Sequence, residues 1–179
     1  MMKKRVKSDR RGYTLAETLV AILILLMVAS ILAAGLPAAV NALNKAVDAS
    51  HGQVLLSTTM TMMRDELSTA SDIVCNEKKI TYTDAWGASC VLEVKGTDGI
   101  NLSKTASPDG TGGAGKTSDG LLVSGKAATS GLYCTFSKAV YDEGRGIVKI
   151  LELQVKKGDR VLSDLGELAF EIEVIGNKG

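Results

Sequence analysis

The stretch Arg10–Pro37, RRGYTLAETLVAILILLMVASILAAGLP, governs how the rest of the chain is organised. A basic leader ends at Gly12, a single carboxylate follows at Glu17, and Thr18–Asn44 is a run of 27 residues without a charge. At about 1.5 Å of rise per residue, a helix needs about 20 apolar residues to cross a bilayer. The stretch therefore predicts a membrane-spanning helix near the N-terminus.

The order and spacing of these features resemble the N-terminal signal of the type IV pilin family, which comprises the prepilins and the related pseudopilins. That signal has a short basic leader, a glycine, an aromatic residue, Thr-Leu, one further residue and Glu. Here it reads Gly12-Tyr13-Thr14-Leu15-Ala16-Glu17, with Tyr13 where most members carry phenylalanine. The resemblance covers residues 1–70. It implies that a membrane-embedded prepilin peptidase cleaves between Gly12 and Tyr13 and methylates the new amine of Tyr13.

Glu17 is the residue with the most specific expected role. A carboxylate costs up to about 3 kcal/mol at the middle of a bilayer, so it normally has a partner. Cleavage would create an amine at Tyr13, one helical turn before Glu17. The resemblance implies that Glu17 of an incoming subunit pairs with the Tyr13 amine of its neighbour. The alternative is a carboxylate that reaches back to the membrane interface.

A conventional secretory signal is the main alternative to a prepilin signal. Small residues at 33–35 and 38–39 could serve such a cut, and the product would be a secreted or membrane-anchored binding domain. The apolar run, however, exceeds the usual length of about 7–15 residues for a signal core, and such a signal has no use for Glu17. The prepilin interpretation is therefore favoured.

Charge is distributed unevenly around the predicted cleavage point. The first twelve residues contain six basic residues against Asp9, a pattern that keeps the N-terminus cytoplasmic and sends the C-terminus out. The full chain has a net charge of +1; without residues 1–12 it keeps 15 basic and 19 acidic residues, about −4. A general phosphate-binding surface is therefore not expected, and nucleic acid would be a partner only indirectly, through a DNA-uptake system.

The helix is predicted to change character after Pro37. With Gly35 two residues earlier, the proline predicts a kink or a locally melted turn. Beyond it, apolar residues recur at a spacing of three to four, which predicts an amphipathic half over 40–70 that packs on a sheet. These residues are Val40, Leu43, Val47, Val54 and Met62. Met60, Met62 and Met63 are expected to fill the core, and His51, the only histidine, to be an exposed helix residue.

From Asp72 the apolar period shifts towards two, which predicts β-strands. Short strands are expected at Ile73–Cys75, Ile80–Thr83 and Cys90–Val94, and Trp86 is expected to be a core residue rather than an exposed contact. Longer strands are expected at Leu132–Tyr141 and Ile147–Val155, joined by a glycine turn, with a further turn at Lys157-Gly158-Asp159. The sequence predicts a long helix packed on an antiparallel sheet, an α+β fold.

Residues 96–131 have a composition that predicts a long surface loop. Nine of the 19 glycines fall there, and Leu121–Val123 is the only strand expected within it. Gly110–Thr117 satisfies the phosphate-binding pattern G-x-x-x-x-G-K-[ST] through Gly110, Gly115, Lys116 and Thr117. A real cradle follows a buried strand and opens a helix, and neither is predicted here, so the match is interpreted as chance.

The three cysteines and the single histidine form no recognisable metal or catalytic motif. Cys75, Cys90 and Cys134 allow one disulfide plus a free thiol, with Cys75 and Cys90 as the candidate pair, or three buried thiols. No metal, cofactor or small-molecule substrate is expected. The chain is predicted to be a structural subunit, not an enzyme.

The predicted organisation has four parts. Residues 1–12 are a prepilin leader, 13–39 a transmembrane or filament-core helix segment, 40–70 the amphipathic half, and 71–179 a β-rich head. The expected location is the cell membrane, as a single-pass precursor with its C-terminus outside, and then an extracellular or periplasmic filament. The long loop and the three cysteines favour a minor pilin or pseudopilin over a major subunit. The expected partners are the membrane, the peptidase and other pilin subunits.

Overall fold

A computed structural model of the chain describes residues 14–105, 117–123 and 131–175. The chain divides into two compact units, residues 1–45 and 46–179. Helix α1, Leu15–Ser68, contributes residues to both units. One long N-terminal helix followed by antiparallel sheets is the α+β layout that the sequence predicts.

The described strands of the second unit form three antiparallel sheets. The strands are β1 (Ser71–Asn76), β2 (Lys79–Thr83), β3 (Ser89–Lys95), β4 (Gly99–Thr105), β5 (Thr117–Leu121), β6 (Leu132–Thr135), β7 (Lys138–Asp142), β8 (Ile147–Leu151), β9 (Gln154–Lys157), β10 (Arg160–Asp164) and β11 (Phe170–Glu173). The largest sheet has the order β1-β2-β3-β4-β5. The other two have the orders β10-β9-β6 and β11-β8-β7.

The part of α1 that belongs to the second unit packs through a face different from the predicted one. The buried helix residues are Gly52, Leu55, Leu56, Thr59, Met63 and Leu67. Val47, Val54 and Met62, which the spacing assigned to the apolar stripe, are exposed. The spacing correctly predicted an amphipathic helix but assigned the wrong face to the core. Two apolar stripes run along this helix, and spacing alone does not show which of them is buried. Of the three methionines, Met63 is fully buried, Met60 is partly buried and Met62 is exposed.

Gly52 shows how closely the helix approaches the strands. A Cβ atom placed on Gly52 would lie 3.1 Å from the Cβ atom of Leu162 in β10. The helix ends at Ser68, whose carbonyl accepts a hydrogen bond from the backbone N–H of Ile175 at 2.7 Å. This bond satisfies one of the carbonyls that a helix C-terminus leaves without a helical partner.

The two longer predicted strands are each bent into two. Leu132–Tyr141 divides into β6 and β7, and Ile147–Val155 divides into β8 and β9, so that β7 pairs with β8 in one sheet while β6 pairs with β9 in another. The corner between β8 and β9 contains Glu152 with a φ of 52°. Beside the corners, Phe136 and Leu153 are buried. The strands therefore change sheets at positions where a side chain enters the core.

The prediction of an unstructured loop over 96–131 is wrong for two segments. Strand β4 pairs with β3 along its whole length and with β5 on its other side. Ile100 in β4 is buried, and Leu102 packs against the core. Strand β4 was not predicted because it contains glycine and hydroxyl residues and few apolar ones. It is held in place by hydrogen bonds to the strands on both sides, β3 and β5. Within 117–123 the strand includes Leu121 but not Leu122 or Val123.

Two residues of the β2–β3 region also differ from expectation. Trp86, expected in the core, lies in the β2–β3 turn with 93% of its surface exposed. Cys75 and Cys90, the candidate disulfide pair, are both free thiols. Cys75 lies in β1 and Cys90 in β3, with β2 between them. Strand spacing alone, about 4.8 Å per strand, separates their Cα atoms by about 10 Å, beyond the limit of about 7 Å for a disulfide.

Candidate functional site

Helix α1 begins with a hydrogen-bonded cap. The carbonyl of Thr14 accepts the backbone N–H groups of Glu17 at 2.9 Å and Thr18 at 3.2 Å. The Thr14 hydroxyl oxygen accepts the Glu17 N–H at 3.4 Å. Thr14-Leu15-Ala16-Glu17 matches the capping-box pattern, threonine followed three residues later by glutamate. This second role of the motif is not among the predictions above, although the pattern is readable in the sequence.

Glu17 therefore has a role within its own chain as well as its expected role between chains. Its exposed carboxylate lies in the first turn of α1, where the helix dipole favours negative charge by about 0.3–1 kcal/mol. Gly12 and Tyr13, the residues of the expected cleavage and methylation, lie outside the described residues. The pairing of Glu17 with an amine at Tyr13 stays a prediction.

Between Leu19 and Leu36, the surface of α1 is apolar on all sides. Every large apolar side chain from Leu15 to Leu43 is at least 51% exposed. The hydroxyls of Thr18 and Ser30 donate to the carbonyls of Leu15 and Met27, at 2.8 Å and 2.7 Å, so these polar groups are bonded within the helix. By length and composition the helix is able to cross a membrane. A surface of this kind is stable in lipid or against other apolar helices.

Gly35 and Pro37 both lie within α1. The helix runs through them from Leu15 to Ser68 without interruption, so the locally melted turn that the proline predicted is not formed. Proline lacks the N–H that would bond the carbonyl of Ala33, and the helical bonds on either side keep the helix continuous. A bend at this position stays a prediction.

A polar cluster at the end of α1, not anticipated from the sequence, joins the helix to the largest sheet. The Glu66 carboxylate accepts hydrogen bonds from the Tyr82 hydroxyl at 3.0 Å and from the Lys104 ammonium at 2.8 and 2.9 Å. Burial, and then the negative charge of Glu66, raise the pKa of Tyr82. Burial alone would lower the pKa of Lys104, but the hydrogen bond and charge of Glu66 outweigh it and raise that pKa. The cluster therefore keeps a neutral phenol and a charged ion pair.

The thiols are poor nucleophiles. Burial raises the pKa of Cys75 and of Cys134 to about 11, and burial followed by the charge of Asp84 raises the pKa of Cys90. Reactive cysteines instead have a lowered pKa that favours the thiolate. His51 is exposed, as the sequence predicts. Among residues 14–105, 117–123 and 131–175, no three histidine, cysteine or acidic side chains come together as a metal site.

The glycine-rich match to a phosphate cradle is only partly described. Gly110, Gly115 and Lys116 lie outside the described residues, whereas Thr117 begins strand β5. A phosphate cradle of this type opens a helix, whose N-terminal amides hold the phosphates. The strand at Thr117 is the opposite context, which supports interpreting the match as chance.

The comparisons with known proteins bear on the N-terminal segment. Residues 7–33 match the family model described as the prokaryotic N-terminal methylation motif. No curated protein and no solved structure matches the chain. The matched residues include the glycine, the capping-box glutamate and most of the exposed apolar helix. Residues 7–33 are therefore a type IV pilin-like prepilin signal, and the apolar helix that begins within them supports membrane anchoring.

Proposed function

We propose that this chain is a structural subunit, a minor pilin or pseudopilin, of a type IV pilus-like filament. Prepilin peptidase cleaves it after Gly12, methylates Tyr13, and leaves α1 to assemble with the helices of other subunits. The observation that carries the proposal is the continuity of the prepilin signal at residues 7–33 with a helix whose apolar side chains are exposed. Among the described residues of its own unit this surface has no partner, and it needs lipid or neighbouring helices.

The topology follows from the charge of the leader. Six basic residues before Gly12 hold the N-terminus on the cytoplasmic side, so the peptidase meets the cleavage site there and the β-rich unit is exported. After cleavage, Glu17 and the new amine of Tyr13 provide opposite charges at the end of an apolar helix. Pairing between subunits places each charge against its counterpart and lowers the cost of moving both out of the membrane interface.

The cleavage is tested by the N-terminal sequence and intact mass of the chain, expressed with and without prepilin peptidase. We expect a chain that begins at Tyr13, one methyl heavier, only when the peptidase is present. Gly12→Leu blocks the cut, and the matched variant Gly35→Leu leaves it unchanged. A chain that begins near Gly35 or Val40, and that is lost in Gly35→Leu, would show a conventional signal and refute the prepilin proposal.

The role of Glu17 is tested by separating its charge from its cap. Glu17→Gln keeps the side-chain length but removes the charge, whereas Thr14→Ala removes the capping hydroxyl and keeps the charge. We expect Glu17→Gln to be cleaved normally but to be absent from sheared filaments, and Thr14→Ala to be incorporated. Equal incorporation of both variants would remove the assembly role of Glu17, and equal loss would assign the defect to the helix cap.

A further inference from the structure

The outward face of the five-stranded sheet carries a row of hydroxyl side chains at one end. Strand pairing sets Ser71 opposite Thr83, Thr83 opposite Ser89, and Ser89 opposite Thr105. Residues directly opposite in an antiparallel sheet place their side chains on the same face. The three spacings between these four strands, about 4.8 Å each, make the row about 14 Å long. The preceding residue in β2, Tyr82, is buried against the helix, so the row faces away from the core.

The next row on this face adds two further hydroxyls. It consists of Val74, Thr81, Val91, Ser103 and Asp119. Asp119, on the edge strand β5, accepts a hydrogen bond from Ser103 at 2.9 Å and pairs with Lys95 at 3.3 Å, so its charge is balanced. We call Ser71, Thr81, Thr83, Ser89, Ser103 and Thr105 the hydroxyl face. Its side chains are polar and uncharged.

The β2–β3 turn holds an exposed tryptophan directly beside this face. Trp86 lies between Thr83 and Ser89 in the chain, and hydrogen bonds order the turn. The Asp84 carboxylate accepts the backbone N–H groups of Trp86 and Ala88, both at 2.9 Å, and the Asp84 N–H donates to the Ala88 carbonyl at 2.9 Å. An ordered turn presents the indole with little loss of entropy on binding, which is how aromatic contact residues gain affinity.

We propose that the hydroxyl face and Trp86 bind a neutral polysaccharide. The apolar C–H face of a sugar ring stacks on an aromatic ring, and sugar hydroxyls exchange hydrogen bonds with side-chain hydroxyls. The Ser71 and Thr81 hydroxyls donate to backbone carbonyls within the sheet, and each keeps acceptor lone pairs for a ligand. A row about 14 Å long suits an extended chain of sugars rather than a single one.

Two other occupants fit this chemistry less well. An anionic polymer would need unpaired lysine or arginine among these rows, and the hydroxyl face has none. Protein interfaces are enriched in tryptophan, but they are depleted in serine and place an apolar cluster at their centre, whereas the row from Ser71 to Thr105 consists of hydroxyl residues; a protein partner is therefore disfavoured. The charged outward residues Lys79 and Glu93 lie at the other end of the sheet, and the Lys95 ammonium, which reaches the second row, is paired with Asp119. The inference goes beyond filament assembly and does not depend on it.

Trp86 provides the first measurement, because it is the only tryptophan in the chain. The full-length protein in detergent micelles is titrated with hydroxyethyl cellulose, dextran and galactomannan, and with alginate as the anionic control. We expect at least one neutral polymer to shift the tryptophan emission to shorter wavelength, saturably and independently of salt. No shift with any of the three, or an equal shift with alginate, overturns the proposal.

Variants then locate the binding. We expect Thr83→Val combined with Ser89→Ala to weaken binding about tenfold, while the matched pair Thr61→Val and Ser57→Ala, on the exposed side of α1, leaves it unchanged. In affinity electrophoresis through a gel containing the responding polymer, Trp86→Ala loses its retardation and Trp86→Tyr keeps it. The control Leu168→Ala, which removes another exposed apolar side chain, stays retarded.

The outcomes separate this inference from the proposed function. Glu17→Gln, expected to be absent from filaments, should bind the polymer as the parent does. Equal binding by Thr83→Val with Ser89→Ala and by its matched pair would overturn the assignment of the face. A shift of the tryptophan emission that occurs only when filaments form, without added polymer, would show that the face is a subunit interface. That result would overturn the polysaccharide proposal.

Discussion

The two units of this chain treat apolar side chains in opposite ways. In residues 14–45, the large apolar side chains of α1 are exposed over most of their surface. In residues 46–175, the buried core draws on α1 and on all three sheets, with side chains such as Met63, Phe136 and Ile150 almost fully enclosed. The first unit therefore obtains its stabilisation from lipid or other chains, and the second obtains it from its own packing.

This contrast makes the two units separable by mutation. A substitution in the second unit should change its free energy of unfolding, whereas one in the first should change membrane insertion or assembly and leave that free energy unchanged. α1 contributes residues to both units, so changes along one helix give matched comparisons with the same local backbone.

The largest effect is expected from a pair of adjacent methionines. Met63 is 0% exposed and Met62 is 40% exposed. Met63→Ala should lower the free energy of unfolding by about 2–5 kcal/mol, because it removes buried surface and leaves a cavity. Met62→Ala should change it by less than about 1 kcal/mol. Urea unfolding of the full-length protein in micelles, followed by circular dichroism, measures both.

Leu25→Ala extends the comparison to the first unit. Leu25 is exposed, so this variant should unfold like the parent in the same experiment while reducing incorporation into filaments. A destabilisation by Leu25→Ala as large as that by Met63→Ala would break the contrast between the units. It would mean that the second unit depends on the apolar segment for its own folding.

The cluster around Glu66 is the next largest expected effect. Glu66→Gln should cost about 1–3 kcal/mol, since it removes the charged partner of Lys104 and weakens the acceptor of the Tyr82 hydroxyl. Tyr82→Phe removes only the hydroxyl and should cost less. The same urea experiment measures both, and an unchanged midpoint in Glu66→Gln would mean that the cluster does not stabilise the junction of α1 with β2 and β4.

The cluster also predicts how stability depends on alkaline pH. The pKa values of Tyr82 and Lys104 are raised in the folded protein. Groups of this kind contribute stability that is complete below their unfolded values, about 10, and is lost as pH rises further. The free energy of unfolding should therefore fall above about pH 10. Tyr82→Phe should reduce that fall, and an unchanged slope would contradict the shift at Tyr82.

The cysteines test, with a smaller expected effect, whether the thiols are unpaired and whether the folded core protects them. Three thiols should react with a maleimide in denaturant without a reductant, because none is paired. In the folded protein at pH 8, Cys134 should react slowly, since it is buried and its pKa is raised to about 11. Intact mass after labelling counts the thiols. A single labelled thiol in denaturant would indicate a disulfide and contradict the separation of Cys75 from Cys90.

The smallest effect is expected at the Asp48–Lys157 ion pair. The two side chains meet at 2.8 Å but are 24% and 44% exposed, so water and salt screen the interaction. Asp48→Asn should change the free energy of unfolding by less than about 1 kcal/mol, and added salt should reduce the difference further. The Glu66–Lys104 pair is exposed to a similar degree, 25% and 35%, and differs in that Glu66 also accepts a hydrogen bond from the buried Tyr82. An effect of Asp48→Asn as large as that of Glu66→Gln would show that this additional bond does not separate the two ion pairs.

Local patterns predicted much of this fold. The apolar run and the apolar spacing beyond it identified the N-terminal helix to within two residues of its end, and period-two alternation identified β2 and β3. The buried face of α1, strand β4 and the exposure of Trp86 were not predictable in this way. Each depends on which distant segment packs against it, and one sequence window contains no information on that neighbour.

The sequence by itself determined the prepilin signal, the apolar segment and the change from helix to strands, because charge, hydrophobicity and local periodicity act within a few residues. Only the tertiary structure decided that Glu66 meets Tyr82 and Lys104, that Cys75 and Cys90 lie two strands apart, and that the hydroxyl face aligns beside Trp86. These relations depend on strand order and register, which follow from the free energy of packing the whole second unit.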